Sequence, residues 1–413
     1  MNREDFLMCK DALIYLDNGA TTFKPKQVIN KVVDYYTKYT ANCHRGDYDI
    51  SQKVDFEYES TREVVRKFIN ADSREEIIFT SGTTESLNMI IFSFMRHYLK
   101  KGDEVLITKA EHASNVLPWF ELEKEMGIVV KFIPLTRDYK VTLDNVKAVT
   151  TNKTKVISLA YITNVIGDVR PIKEISEFAH QNNILLCVDG AQSVPHMKTD
   201  VLRDDIDFLA FSAHKMLGPT GVGILYAKKK FLEVMPPFKY GGGMNIKFES
   251  TKELEYKEVP LRFEAGTQNI AGVLGLKAAI EYIESIGIEK IREHEIKLRE
   301  YLIKRLKEVS NVTVYNEASE SGIVIFNLDK IFAEDTANYL NHYHICVRAG
   351  NHCTKMIKDD LGVKNTCRIS LYLYNTFEEI DNILLLFLLT NKYIILLIRL
   401  FSSSLLKANL KEF

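Results

Sequence analysis

The pattern of apolar and polar positions changes period many times along the chain. Between residues 76 and 227, short apolar, β-branched runs alternate with longer stretches of helical period. Glu76 to Phe79 predicts a strand and Thr83 to His97 a helix. Strands follow at Glu104 to Thr108, Val129 to Ile133 and Lys155 to Ala160, with a helix from Asn115 to Met126 after the first. Pro171, suited to a first helical turn, opens a helix to about Gln181. Ile184 to Asp189, Phe208 to Ser212 and Gly223 to Ala227 complete the set of strands. Alternation of this kind predicts an α/β fold with a mostly parallel, helix-covered sheet. Ligands of such sheets lie outside the carboxyl ends of the strands, so the polar residues just after each strand are the candidates for chemistry.

From about Glu289 the texture changes. A long charged helix to about Val309 is followed by short strands at Val312 to Tyr315, Ile323 to Asn327, Ile345 to Arg348 and Cys367 to Leu371. A helix from Ala333 to His342 lies between the second and third. The expected division is a large domain over 16–285, and a smaller α+β domain made of 1–15 and 286–413. Two apolar runs, Ile383 to Leu389 and Tyr393 to Ile398, are broken by Asn391 and Lys392. Neither approaches the roughly 18 apolar residues of a spanning helix. The favoured reading is a terminal helix buried against the domain or a partner, with an interfacial membrane segment as the weaker one.

Composition narrows the function classes. Of 413 residues, 46% are hydrophobic and 26% charged, which excludes wholesale disorder, a collagen-like fibre and a polytopic membrane protein. Lys+Arg and Asp+Glu nearly balance at a net charge of −1, so nothing calls for nucleic acid as a partner. The six cysteines form no C-x-x-C pair, and Met1 to Lys10 has no apolar signal region. A reducing, cytoplasmic setting is the expectation.

Ser212-Ala-His-Lys215 directly follows a predicted strand and precedes a glycine-rich turn, Gly218 to Gly223. A lysine at a strand end in a ligand crevice is desolvated, which lowers its pKa and frees the amine for Schiff-base chemistry. Asp189 ends another strand, where a carboxylate can hold a ring nitrogen protonated, as pyridoxal phosphate requires. Ser81-Gly-Thr-Thr84 offers hydroxyls and free N–H groups at a helix start, which suits a phosphate. His112 follows a third strand end and can stack on a flat ring. Each has a plainer reading alone: a surface lysine, a turn aspartate, a helix cap, a polar core histidine.

Together these sites identify a resemblance. The chain resembles the cysteine desulfurases, in the class V aminotransferase group of fold-type I pyridoxal phosphate (PLP) enzymes, and most of all their Suf-type, or group II, branch. It rests on stretches in the family order from about Tyr15 to about Asp381. They include Tyr15 to Thr22, His44-Arg-Gly46, Ser81 to Glu85, Glu111 to Asn115, Asn164 to Gly167 and Val188 to Gln192. Ser212 to Lys215, Arg262 to Thr267, Arg348-Ala-Gly-Asn-His-Cys353 and Cys367-Arg-Ile-Ser370 continue it.

The resemblance implies that Lys215 anchors the cofactor, His112 stacks on its ring, Asp189 pairs with the ring nitrogen and Gln192 bonds the phenolic oxygen. Thr83, Thr84, Ser212 and His214 would hold the phosphate, and Thr267 the phosphate of the other subunit of a homodimer. Asn164 and Arg368 would fix the substrate carboxylate. His44, Arg45 and Arg348 would lie near the substrate mouth. Cys353 would be the nucleophile, its thiolate favoured by His352, Lys355 or Arg348. The implied activity converts L-cysteine to L-alanine through a Cys353 persulfide, which passes to a sulfur-acceptor protein of the Suf system for iron–sulfur cluster assembly.

Alternatives are selenocysteine lyase activity on L-selenocysteine and a non-catalytic sulfur-carrier or metal-binding module. For the last, His342, His344, Cys346, His352 and Cys353 are the conceivable ligands, although His342 and His344 fit a helix end and turn better. The chain departs from the family at Asn351, at Thr354-Lys-Met356 and in the apolar tail.

Overall fold

The computed structural model describes residues 2–9 and 13–388. Seven strands form the main sheet: β1 (Ile77–Thr80), β2 (Glu104–Ile107), β3 (Val129–Phe132), β4 (Thr154–Ala160), β5 (Leu185–Asp189), β6 (Phe208–Ser212) and β7 (Gly223–Ala227). Their spatial order is β1-β7-β6-β5-β4-β2-β3. All neighbours are parallel except β7, which runs antiparallel to both β6 and β1. Apart from the half-exposed edge strand β3, the sheet is buried on both faces, which explains the near-continuous hydrophobic runs. Along β6, Leu209 and Phe211 join one core with Leu106, Ile157, Leu186 and Ile224. Phe208 and Ala210 join the opposite one with Val105, Ile107, Val156 and Leu225.

The helix predicted over Thr83 to His97 is not uniform. It is α-helical over Thr83–Met89, π-helical over Ile90–Met95 and closes with Arg96–Tyr98. Five of the six π residues are buried, and the wider turn sets Ser93 Oγ to donate to Pro236 O at 2.5 Å.

The second sheet comprises β8 (Val312–Val314), β9 (Ile323–Leu328), β10 (Arg348–Gly350) and β11 (Thr366–Ser370), in the antiparallel order β8-β9-β11-β10. The single strand expected over Ile345 to Arg348 is two. Ile345–Cys346 pairs in parallel with Ile14–Tyr15, and after Val347 the chain changes partner to β11. Leu298, Leu302 and Leu306 of the helix Ile288–Leu306 cover this sheet, with Leu340 of the helix Ala333–His342. Residues 377–388 form a further helix that buries Ile380, Ile383, Leu384 and Phe387 in the same core. The second apolar run, Tyr393 to Ile398, lies outside the described residues. Among those described, no helix is long and apolar enough to cross a membrane.

Candidate active site

The carboxyl ends of β1, β2 and β6 meet the start of β10 and the middle of β11 around a cleft of about 190 Å³. Its lining includes Thr83, Thr84, His112, Asn164, Ser212, His214, Lys215, Arg348 and Arg368. With His352, which also lines it, ten of the residues singled out in the sequence therefore converge on one cavity, although they span most of the chain.

Lys215 closes a single 3-10 turn, Ala213–Lys215, that begins as β6 ends. Its amine has no hydrogen-bond partner among the described residues. Burial pulls its pKa from 10.5 to about 8 against the opposing charge of Asp189. Asp189 is buried at the end of β5, accepts from Ala191 N at 2.9 Å and is pushed up to about 6 by desolvation. Among the described residues no cationic side chain bonds it, so it sits ready for a positive partner. Gln192 donates to Gly19 O at 2.8 Å, which leaves its buried Oε1 without a donor.

At the start of the helix after β1, Ser212 Oγ accepts from Thr83 N at 2.7 Å and meets Thr83 Oγ1 at 2.6 Å. Gly223 makes this approach feasible, because a Cβ there would stand 2.4 Å from the Gly82 backbone. Thr84 Oγ1 lies 2.8 Å from Ser114 Oγ. Ser114 in turn donates its N–H to His112 Nδ1 at 3.2 Å, fixing the ring at the cap of a short turn. Burial and the charge of Lys215 lower the His112 pKa to about 4, and burial lowers His214 to about 4. Both rings are neutral at pH 7.

Arg368 and Arg348 are direct partners across β11 and β10, so two guanidinium groups sit side by side at one end of the cleft. Arg368 is held by Asp17 Oδ1 at 2.6 Å and Asn164 O at 3.0 Å, with its buried Nε unpartnered. The Cys353 loop crosses this end. Cys353 is exposed, with φ of +58°, and its carbonyl accepts from Ala113 N, next to His112, at 2.8 Å. Arg348 Nη2 is 3.7 Å from its Sγ. Asn164 ties the loop twice: Nδ2 donates to His352 O at 2.8 Å and Oδ1 accepts from Thr354 Oγ1 at 2.9 Å.

The structure overturns the expected role of His352. His352 is no cation beside Cys353. It is 3% exposed, its Nε2 lies 3.0 Å from both Thr366 O and Thr366 Oγ1, and burial and Arg368 hold its pKa at about 2. Arg348 is the positive group at the sulfur. His342 ends a helix and His344 turns with φ of +60°, and the two form no metal-ligating cluster with Cys346 among the described residues.

Three candidates lie elsewhere in the chain. His44 and Arg45 line a separate cleft with Gly266 and Gln268, and Thr267 Oγ1 accepts from Asn42 Nδ2 at 3.3 Å. None of the three lines the Lys215 cleft.

Several contributors carried no individual signal. Asp17 pairs with Arg368, and Ser114 links Thr84 to His112. Glu111, fully buried, accepts from Arg170, Thr108 and Asn115 and braces the turn that presents His112. Asp17 and Glu111 stand inside the quoted motifs, but only tertiary pairing shows their use.

Comparison with known proteins decides the family. The aminotransferase class-V family model matches residues 14–383. The chain belongs to the class-V aminotransferase family. It is 44% identical over 369 residues to a probable cysteine desulfurase of Halalkalibacterium halodurans, covering 89% of this chain and 91% of the relative. It is 40% identical over 374 residues to a cysteine desulfurase of Haloferax volcanii, covering 90% and 88%. Its fold superposes on the apo cysteine desulfurase from Thermococcus onnurineus NA1 with a TM-score of 0.89 at 36% identity, covering 92% of this chain and 95% of that one. Membership implies pyridoxal phosphate, and this chain's residues fit it. Among the described residues, a lone amine, a carboxylate without a cation, an orphaned Gln192 amide oxygen and a hydroxyl-rich helix start are the complements of an aldehyde, a protonated ring nitrogen, a phenolic hydroxyl and a phosphate.

Proposed function

We propose that this class-V aminotransferase is a Suf-type cysteine desulfurase that releases L-alanine from L-cysteine and keeps the sulfur on Cys353. One observation carries the reading: an exposed cysteine is tied to Ala113, the residue after His112, beside Arg348 of the Lys215 cleft. When bound, pyridoxal phosphate supplies the electron sink that makes the substrate's carbon–sulfur bond cleavable.

The protein supplies position and proton transfer. Thr83, Thr84, Ser212 and His214 hold the phosphate. Asp189 would hold the ring nitrogen protonated, Gln192 would hydrogen-bond the phenolic hydroxyl through its free amide oxygen, and neutral His112 would stack on the ring. Lys215 is the covalent anchor, and its lowered pKa lets the free amine take the proton from the substrate Cα. Arg368 and Asn164 orient the substrate carboxylate, for which a planar guanidinium is the matching donor. Cys353 Sγ attacks the substrate sulfur, and the product carbon leaves as alanine after protonation. The persulfide then passes to a sulfur-acceptor protein for iron–sulfur cluster assembly. The reading includes a cytoplasmic homodimer in which Thr267, His44 and Arg45 complete the partner's cleft. It also includes a large domain over 16–285 and a small one that carries the Cys353 loop.

The test is alanine released from L-cysteine under reducing conditions by the cofactor-loaded protein. Wild type is expected to turn over, and Cys353→Ser to lose nearly all activity with its cofactor absorbance intact. Equal alanine release from both would refute the persulfide route.

A further inference from the structure

Away from the Lys215 cleft, a second set of ligating groups converges. Cys43 Sγ, a ring nitrogen of His44 and a carboxylate oxygen of Asp55 lie within 4.8 Å of one another. We propose that these three residues bind a thiophilic divalent cation of the zinc class.

The donors come from a loop and from the helix Asp49–Phe68 that follows it. Asp55 addresses both loop residues: Oδ1 accepts from His44 N at 2.6 Å, and a carboxylate oxygen lies within 4.8 Å of Cys43 Sγ. His44 has φ of +59°, the left-handed region, and its two ring nitrogens then face different carboxylates. Nδ1 is 3.9 Å from Asp55 Oδ1, and Nε2 is 3.3 Å from Glu59 Oε1. Asp55 and Glu59 are one helical turn apart and so share a face.

This is the layout of a metal-bound histidine, which gives its second N–H to a carboxylate that fixes ring and tautomer. Glu59 is itself anchored. Arg62 grips it through Nε at 3.1 Å and Nη2 at 3.2 Å, and Arg62 is fully buried against Glu264. The outer carboxylate is therefore rigid before any ion arrives.

The donor set selects the ion. One sulfur, one imidazole nitrogen and one carboxylate oxygen suit zinc with an open fourth position, whereas magnesium and calcium want oxygen. Metal–ligand bonds of about 2.0–2.3 Å in a tetrahedral zinc site set ligand atoms roughly 3.5 Å apart, so the cluster tightens as the ion binds. Cys43 and His44 also line a cavity of about 30 Å³, enough for an ion's water ligand. Arg45 and Lys257 line that cavity too, and their charge opposes any cation held by electrostatics alone. Coordination by the Cys43 sulfur must supply the affinity, and binding releases the thiol proton to solvent. Binding would pin the loop that carries His44 and Arg45.

The experiment uses the full-length, cofactor-loaded enzyme stripped of metal. Zinc is titrated against a chromophoric chelator, and cobalt replaces zinc for spectroscopy. Wild type and Cys353→Ser are expected to bind one zinc per chain and to show thiolate-to-cobalt charge-transfer absorption. Cys43→Ala is expected to lose that absorption, and Glu59→Gln to bind zinc about 10–100-fold more weakly. Asp55→Asn, nearly isosteric, guards against misfolding of the cysteine variant, and cofactor absorbance with cooperative melting reports folding in each. Unchanged zinc affinity in both Cys43→Ala and Asp55→Asn would overturn the proposal. So would charge-transfer absorption that disappears in Cys353→Ser, or the absence of zinc binding tighter than micromolar in the wild type.

Discussion

Lys215 and Lys358 are both held near pKa 8 by burial, but only Lys215 has chemistry to do with it. Uptake of pyridoxal phosphate by cofactor-free protein needs the free Lys215 amine. Its rate is expected to rise with pH up to about 8 and level off above, followed by cofactor absorbance. A rise that continues to 10 would mean the amine is not desolvated. Lys358 is 3% exposed, and Thr366 Oγ1 is its hydrogen-bond acceptor, at 2.6 Å. Folded and unfolded values of about 8 and 10.5 correspond to about 3 kcal/mol. Between those values the unfolded chain binds more protons, so this group's contribution to stability rises with pH across that window. Below pH 8 the full cost stands. Allowing for the lost hydrogen bond, Lys358→Met is expected to stabilise the protein by about 1–2 kcal/mol at pH 7, and by less as pH nears 10.5. Urea denaturation at both pH values checks this, and a lower midpoint for the variant at pH 7 would count against it.

Among elements, the Cys353 loop is the one whose behaviour follows most directly from its ties. Thr354 stands where the family pattern has a small residue, and its hydroxyl satisfies Asn164 Oδ1. Thr354→Val removes that bond, worth about 1 kcal/mol, and loosens the loop. Alkylation of Cys353 is expected to speed up about 5-fold, with Thr354→Ser near wild type; equal rates in all three would show that the bond does not restrain the loop. The main-sheet strands and the residues at their ends were legible in the sequence, because strands buried on both faces leave continuous apolar runs. The π segment was not: Ile90-Ile-Phe-Ser-Phe-Met95 is apolar nearly all round, so no polar period marks its hydrogen-bond spacing. The break at Val347 was hidden because both halves are strand and only the pairing partner changes. His352 read as a cation from its neighbours in sequence, while Thr366 and burial, which make it neutral, come from β11.

At the scale of the whole molecule, His44, Arg45 and Thr267 stand apart from the Lys215 cleft, and the proposed second copy is what would bring them to one. The Asn42–Thr267 bond joins the loop bearing His44 and Arg45 to the segment bearing Thr267, so all three present as one patch. In a two-fold dimer the same patch of each subunit faces the other, and each cleft can be completed reciprocally. Chains carrying Lys215→Ala and chains carrying Arg45→Ala are each expected to be nearly inactive. Mixed and allowed to exchange subunits, half the dimers become hybrids, each with one doubly altered cleft and one intact. About a quarter of wild-type alanine release should therefore return. If Arg45 acted within its own chain, every hybrid cleft would still lack one group or the other, and no activity would return on mixing.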